Sequence, residues 1–351
     1  MRVVDNAPLA PLTTLRLGGR ATRLVSAERE RDVVDAVREI DARGEPLLVL
    51  GGGSNLVVAD AGFDGTVVRM GTRGRTNATD GDRVLVSAQA GEPWDAFVAA
   101  VVEEGLAGVE CLAGIPGLVG AVPMQNVGAY GQDVSETIVS LRAYDRHLGE
   151  IVELRREACA FAYRSSAFRG KDRHVILEVT FALERSAVSR PIRYAELARA
   201  LGVVEGTRAP LAAVRSTVVE LRRKKGMVLD PSDPDTTSAG SFFTNPIVSA
   251  AELASLRARV EGEGPMPVFP EPDGRFKVSA GWLIERAGFV KGFAGAGGRV
   301  AVSSKHALAL THRGGGTTGE LVALARQIRD GVEARFGVTL ENEPVFVGAR
   351  L

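Results

Sequence analysis

Two glycine-dense stretches constrain this chain more than any other feature. GGGSN, Gly51 to Asn55, directly follows the apolar run PLLVL. The second, GVECLAGIPGLVGAVPMQNVGAYGQDV, runs from Gly108 to Val134 and is nearly free of charge. Three successive glycines present backbone N–H groups with no Cβ in the way, and such N–H groups make a nest for a phosphate or pyrophosphate. A plain tight turn after a strand accounts for the same residues. The segment is not a GxGxxG opening a helix, because LVVAD after it reads as extended, and it is not GxxxxGK[ST]. The longer stretch is too rich in Gly and Pro for an α-helix interior. A long uncharged surface loop is unusual in a compact domain. It therefore packs against a flat apolar ligand, with Gln125, Asn126 and Tyr130 offering polar groups to a ring edge, or it is a buried crossover without one.

Around these stretches the chain alternates strand and helix. RDVVDAVREIDARG has apolar residues at helical spacing and stops at Gly44; PLLVL and TVVRM read as strands. RVLVSAQA, IVSLRAY, GEIVELR and HVILEVTFAL predict further strands, and WDAFVAAVVEEGL a helix. YAELARAL and LAAVRSTVVELRRKKG are amphipathic. Ser249 with Glu252, and Thr317 with Glu320, have capping-box spacing ahead of two helices, the second ending at Gly337. KVSAGWLIERAG predicts a helix, and VAVSSKHALALTH and VTLENEPVFVG each a strand. The composition shift near 185–205 suggests two domains, 1–190 (subdomains about 1–72 and 73–190) and 191–351.

Composition narrows the function. Lys plus Arg and Asp plus Glu are both 43, so no global field favours nucleic acid or an anionic membrane. No N-terminal h-region and no run near the ~18 apolar residues of a membrane span is present, so a cytoplasmic protein is expected. Cys111 and Cys159 are too few for a disulfide framework and read as buried apolar residues. His147, His174, His306 and His312 form no metal-ligand spacing with Cys or Asp; no metal is expected, and His306 and His312 read as strand residues. No heptad or large patch demands a partner chain, so a monomer is expected.

GGGSN, GIPGLVGAVPMQNVGAYG, YRSSAF, AGSFFTNP and LENEP follow one another from about Thr13 to Val347. In that order they resemble the UDP-N-acetylenolpyruvoylglucosamine reductase family. The glycine stretches are shared with a wider superfamily; YRSSAF and GSFFTNP are more specific. The resemblance implies an α+β fold. It has a two-part FAD-binding region of the vanillyl-alcohol-oxidase (PCMH) type and then a smaller α/β substrate-binding domain. It also implies NADPH as reductant and UDP-N-acetylglucosamine enolpyruvate as substrate. No histidine precedes His147, so the glycine-rich half has none for covalent flavin attachment, and FAD is expected to be non-covalent.

Hydride addition conjugate to a carboxylate builds negative charge on that carboxylate. Fixed donors stabilise such charge most where it develops, and a proton donor must then reach the correct carbon. The resemblance gives these tasks to Arg164, Ser241 and Glu343. Beside a growing enolate, Glu343 is expected to be protonated or to donate through water, with a raised pKa. Glu341 is its competitor in an alignment by eye. FAD contacts are implied at Gly51, Gly52, Gly53, Ser54, Asn55 and Leu56. Ile115, Pro116, Gly117, Gly120, Gln125, Asn126, Gly128, Ala129 and Tyr130 extend the set. Substrate contacts are implied at Tyr194, on a loop that marks one subclass of the family, at Lys225, with Lys224 as alternative, and at Asn245. Without the family, Arg222 to Lys225 are cations favoured at a helix C-terminus. Proline follows Glu343, whereas many relatives place it before the acid. Two rivals remain: another flavin oxidase of the superfamily, and a non-catalytic flavin or UDP-sugar binder.

Overall fold

The computed structural model describes residues 1–260 and 262–351. The chain forms two compact units. Unit one is Met1–Ala7, Ala21–Gly53 and Asp64–Lys224; unit two is Pro8–Arg20, Ser54–Phe63 and Lys225–Leu351.

Unit one holds two large sheets and a short two-stranded one, Gly128–Ala129 with Gln132–Asp133. In the first, the strands Arg2–Pro8, Arg20–Ala27, Phe63–Met70 and Leu47–Leu50 lie in that spatial order. Leu47–Leu50 runs parallel to Thr66–Arg69. The helix Glu30–Ala42 buries Val33, Ala36, Val37 and Ile40, at the i, i+3, i+4, i+7 spacing of a single face, in the same core as Val25 and Val68.

The second sheet has the order Glu150–Arg155, Ile138–Asp145, His174–Arg185, Arg83–Gln89, Arg75–Asp80, and Leu106–Ala107 pairs with the end of His174–Arg185. Its neighbours are antiparallel, and Val84, Val86 and Ala88 alternate inward. Against this sheet pack Trp94 and Phe97 of the helix Trp94–Glu103, with Phe181 5.0 Å from Phe97.

The helices Ala195–Leu201 and Leu211–Lys224 bury Leu197, Val214 and Val218 in that same core. The compact units therefore divide after Lys224, whereas the composition shift places a cut at 190. Amphipathic helices change the composition without leaving the core they cover.

Unit two contains the three-stranded sheet Ser238–Ser241, Ala309–His312, Val300–Val302, and a smaller one of Ile247–Val248, Phe276–Val278 and Val268–Pro270. Its helices are Ala250–Arg259, Ala280–Arg286 and Thr318–Phe336. Both expected capping boxes form, Ser249 with Glu252 and Thr317 with Glu320. Gly337 closes the last helix at φ 70°. That helix has a second, long-range cap: Asp60 accepts from the Thr318 and Gly319 amides, each at 2.8 Å. Orphan N–H groups at a helix start favour such a carboxylate. Leu56–Val58 lies parallel to Val345–Val347, which ties residues near the N-terminus into this unit.

Two sequence expectations are corrected here. VAVSSKHALALTH is two antiparallel strands joined by a turn. His306 lies in that turn, its amide on Ser303 Oγ, while His312 ends a strand. The closing strand is only three residues, because Asn342 and Pro344 shape the chain before it. Cys111 and Cys159 are both buried. Among the described residues no helix is long and apolar enough to cross a membrane, and no cluster of His, Cys, Asp or Glu is arranged to hold a metal ion.

Candidate active-site segments

In unit one the two glycine stretches meet backbone to backbone. A Cβ on Gly52 would lie 2.8 Å from Gly117 Cα, and one on Gly120 would lie 2.5 Å from Ala90 Cβ. Side chains are excluded at both contacts by close approach, not by backbone conformation. The longer stretch is laid along residues 90–94: Gly120 N donates to Ala90 O, Val119 N to Glu92 O and Trp94 N to Gly117 O, at 2.9, 2.9 and 3.0 Å. Part of it, Val119–Gln125, winds as a 3₁₀ helix. Residues 111–114 are buried, while Ile115, Pro116, Gly117, Gly120 and Gln125 stay half-buried. Gly51, Leu118, Gly120, Ala121, Met124 and His174 line part of an apolar cavity of about 110 Å³.

Arg164 sits on a two-residue turn. Ala162 and Ser165 exchange both backbone hydrogen bonds, at 3.0 and 3.2 Å, around Tyr163 and Arg164. Arg164 has φ 49° at the position where type II turns take glycine. A non-glycine residue held there costs about 1–3 kcal/mol and persists only where its surroundings over-determine it. Among the described residues six non-glycine residues have positive φ, and four of them, Asn126, Tyr130, Ala160 and Arg164, fall in this region. The Arg164 guanidinium donates from Nη2 to Gly128 O at 2.8 Å and lies over the Tyr163 ring, 5.4 Å from its centroid. Gly128 pairs with Asp133 in a tight hairpin, where an added Cβ would strike Asp133 Oδ1 at 1.6 Å.

Tyr130 and Tyr194 meet edge to face, with centroids 5.4 Å apart and planes at 84°. Burial pushes the Tyr130 phenol up to about 12, against the opposing pull of Arg222. Burial also raises Tyr194, with Glu196 adding to it. Arg222, whose charge acts on Tyr130 and is opposed by Arg164, is brought down to about 10, chiefly by burial. Read as a plain C-terminal cation in the sequence, Arg222 belongs to this electrostatic cluster. Lys224 pairs with exposed Glu220 at 2.7 Å, and Lys225 follows as the first residue of unit two's long segment.

In unit two, Ser241 ends its strand at an irregular register with Ala309, just after Gly240 at φ 75°. Bulges of this kind re-aim a side chain. The next residues meet the C-terminal segment: Glu343 N donates to Phe242 O at 2.9 Å and Thr244 N to Glu341 O at 3.0 Å. Ser241 and Glu343 are thus carried on paired segments although they lie 102 positions apart in the chain. Glu343 is half-buried and Glu341 exposed. Asn245 Oδ1 accepts from Ala280 N at 2.9 Å, at the start of a helix. Ser54, Asn55 and Leu56 belong to this unit, so the unit boundary cuts GGGSN after Gly53.

Residues 231–347 match the model of the UDP-N-acetylenolpyruvoylglucosamine reductase C-terminal domain, and residues 21–155 that of an FAD binding domain. The chain is 57% identical to the UDP-N-acetylenolpyruvoylglucosamine reductase of Thermobifida fusca, across 99% of this chain and 98% of that one. It is 50% identical to that of Mycobacterium marinum, across 100% and 96%. The crystal structure of the Thermus caldophilus enzyme superposes over 99% of both chains with a TM-score of 0.67 at 23% identity, a likeness of fold.

Proposed function

The chain belongs to the UDP-N-acetylenolpyruvoylglucosamine reductase family, and from that premise we propose that it reduces UDP-N-acetylglucosamine enolpyruvate to UDP-N-acetylmuramate in peptidoglycan precursor synthesis. NADPH is the reductant, FAD the bound carrier, and the cytoplasm the place of work. When bound, FAD takes hydride from NADPH and supplies it to the terminal methylene carbon of the enolpyruvyl group. The residues present fit such a group. Gly52 against Gly117 leaves a side-chain-free ridge, and Gly51 and Gly120 line an apolar cavity.

The chain's own tasks then follow. Arg164, always charged, holds the carboxylate as it gathers enolate charge. Its Nη2 contact with Gly128 O and its stack on Tyr163 fix the guanidinium beforehand, so little reorganisation is left for the moment of reaction. Ser241 Oγ–H delivers the proton to the carbon beside the carboxylate. Glu343 presents a proton, not a negative charge, to the same developing anion. Tyr194, Lys225 and Asn245 hold the UDP end, so that remote binding energy orients the small reacting group.

The near-full-length match to named relatives carries this reading. Its test is NADPH oxidation by purified yellow protein, accelerated by the UDP-enolpyruvyl sugar, with UDP-N-acetylmuramate identified by mass. Rapid reoxidation by air with no acceleration by the sugar would point to an oxidase instead.

A further inference from the structure

The Arg164 turn is braced by side chains from outside it. Asn126, only 4% exposed, donates from Nδ2 to the Ala162 carbonyl at 3.1 Å, while its Oδ1 accepts from Ser135 N at 3.1 Å. Ser166 Oγ donates to Met124 O at 2.7 Å and accepts from Phe168 N at 3.1 Å. Arg169 Nη1 donates to the Arg164 carbonyl at 2.7 Å. The glycine-rich stretch and the arginine turn are thereby joined at both ends of the turn. Asn126 is itself left-handed, at φ 47°. Its amide is engaged at both ends with two separate protein segments. That is the arrangement of a brace between them.

The strained backbone of Arg164 gives the brace a purpose. An arginine at that φ relaxes unless neighbours hold it, and relaxation would swing the guanidinium off Gly128 O. We propose that Asn126 is a positioning residue: it holds the Arg164 turn in its left-handed form, with Arg169 as the second point of support. The inference rests on the reading of Arg164 as the group that meets the enolate. Asn126→Asp is the sharpest variant. It keeps the shape, the tolerance of left-handed backbone and the acceptor for Ser135 N. It removes the donor to Ala162 O and sets a carboxylate against that carbonyl.

The test compares wild-type holoenzyme with Asn126→Asp and Arg169→Ala. Under anaerobic conditions, bleaching of the flavin by NADPH and its reoxidation by the UDP-enolpyruvyl sugar are timed separately. Per bound FAD, reoxidation is expected to slow roughly 10²-fold in Asn126→Asp, the scale of a 1 Å misplacement, while FAD content and bleaching in Arg169→Ala stay within about threefold of wild type. In an Arg164→Ala background, Asn126→Asp should add less than about threefold, because the two residues act as one unit. Wild-type reoxidation in both single variants, or the full loss again in the Arg164→Ala background, overturns the proposal. Hydrogen exchange of the Ser165 amide reads the turn independently of the reaction and should quicken by about tenfold in both variants; unchanged exchange also overturns it. If Asn126→Asp does not fold, Arg169→Ala decides by the same two readouts. A wild-type protein that the sugar does not reoxidise overturns the proposed reaction instead, and exchange alone then judges the brace.

Discussion

Glu343 donates its backbone N–H to the carbonyl of Phe242, 2.9 Å away, and so lies on the segment paired with the one that carries Ser241. Thr244 N bonds Glu341 O in the same pairing. The two acids differ in surroundings: Glu343 is half-buried and Glu341 faces solvent. Glu343→Gln is therefore expected to lower kcat by about 10²-fold, the scale of one acid–base group. Glu341→Gln should stay within about twofold, as exposed substitutions commonly do. Steady-state NADPH oxidation with saturating sugar checks both. Equal losses would return the assignment to its starting point.

Arg164→Ala should keep FAD and lose about 10²–10³ in turnover, as removal of one fixed donor to a developing anion does. Arg164→Lys should recover little, because an ammonium lacks the planar fork. Normal turnover of Arg164→Ala would refute the role.

Gly51 and Gly52 separate two functions of the first glycine stretch. Gly52→Ala drives a Cβ into Gly117 Cα and should cost about 1–3 kcal/mol of stability. Gly51→Ala has room, its nearest neighbours being 3.8 Å away. That protein should melt normally without flavin yet bind FAD more weakly, since the new methyl lies beside the apolar cavity. Calorimetry of flavin-free protein and FAD titration decide it; equal melting of the two variants would remove the packing argument.

Non-covalent attachment predicts that acid precipitation releases all the flavin into the supernatant. Colour retained on the pellet's polypeptide contradicts it.

Asp145 makes stability depend on acid. Buried at the end of Ile138–Asp145, it accepts from Arg173 Nη2 at 2.7 Å and Nε at 2.9 Å, and from the amides of His147 and Leu148. The Arg173 guanidinium above all, and then the two amides, hold its carboxyl well below the usual carboxylate range. A carboxyl depressed in the folded state stabilises fully above its unfolded value of about 3.9, and that contribution drains as pH falls toward the folded one. Asp145→Asn should lower Tm at pH 7, and its gap from wild type should narrow below about pH 4. A gap that is constant with pH would assign the loss to packing alone.

Local chemistry was legible in the residues themselves. The capping pairs Ser249–Glu252 and Thr317–Glu320 span three residues, and the Gly337 stop depends on one, so sequence spacing sufficed for both. The glycine stretches and the motifs around Arg164 and Ser241 were visible for the same reason: each is a short run whose residue types state what the backbone must do. What the fold alone decided lies in contacts between distant residues. Asn126 reaches Ala162 across 36 positions, Thr14 Oγ1 reaches Ser238 O across 224, and Asp60 caps a helix that begins 258 residues later. The membership of residues 8–20 and 54–63 in the second unit follows from such pairings. Hydrogen bonds and burial act through space with no regard to separation along the chain. A pattern of neighbours therefore announces helices, turns and caps, while the brace behind Arg164 and the partial burial of Arg222 exist only once the chain has folded.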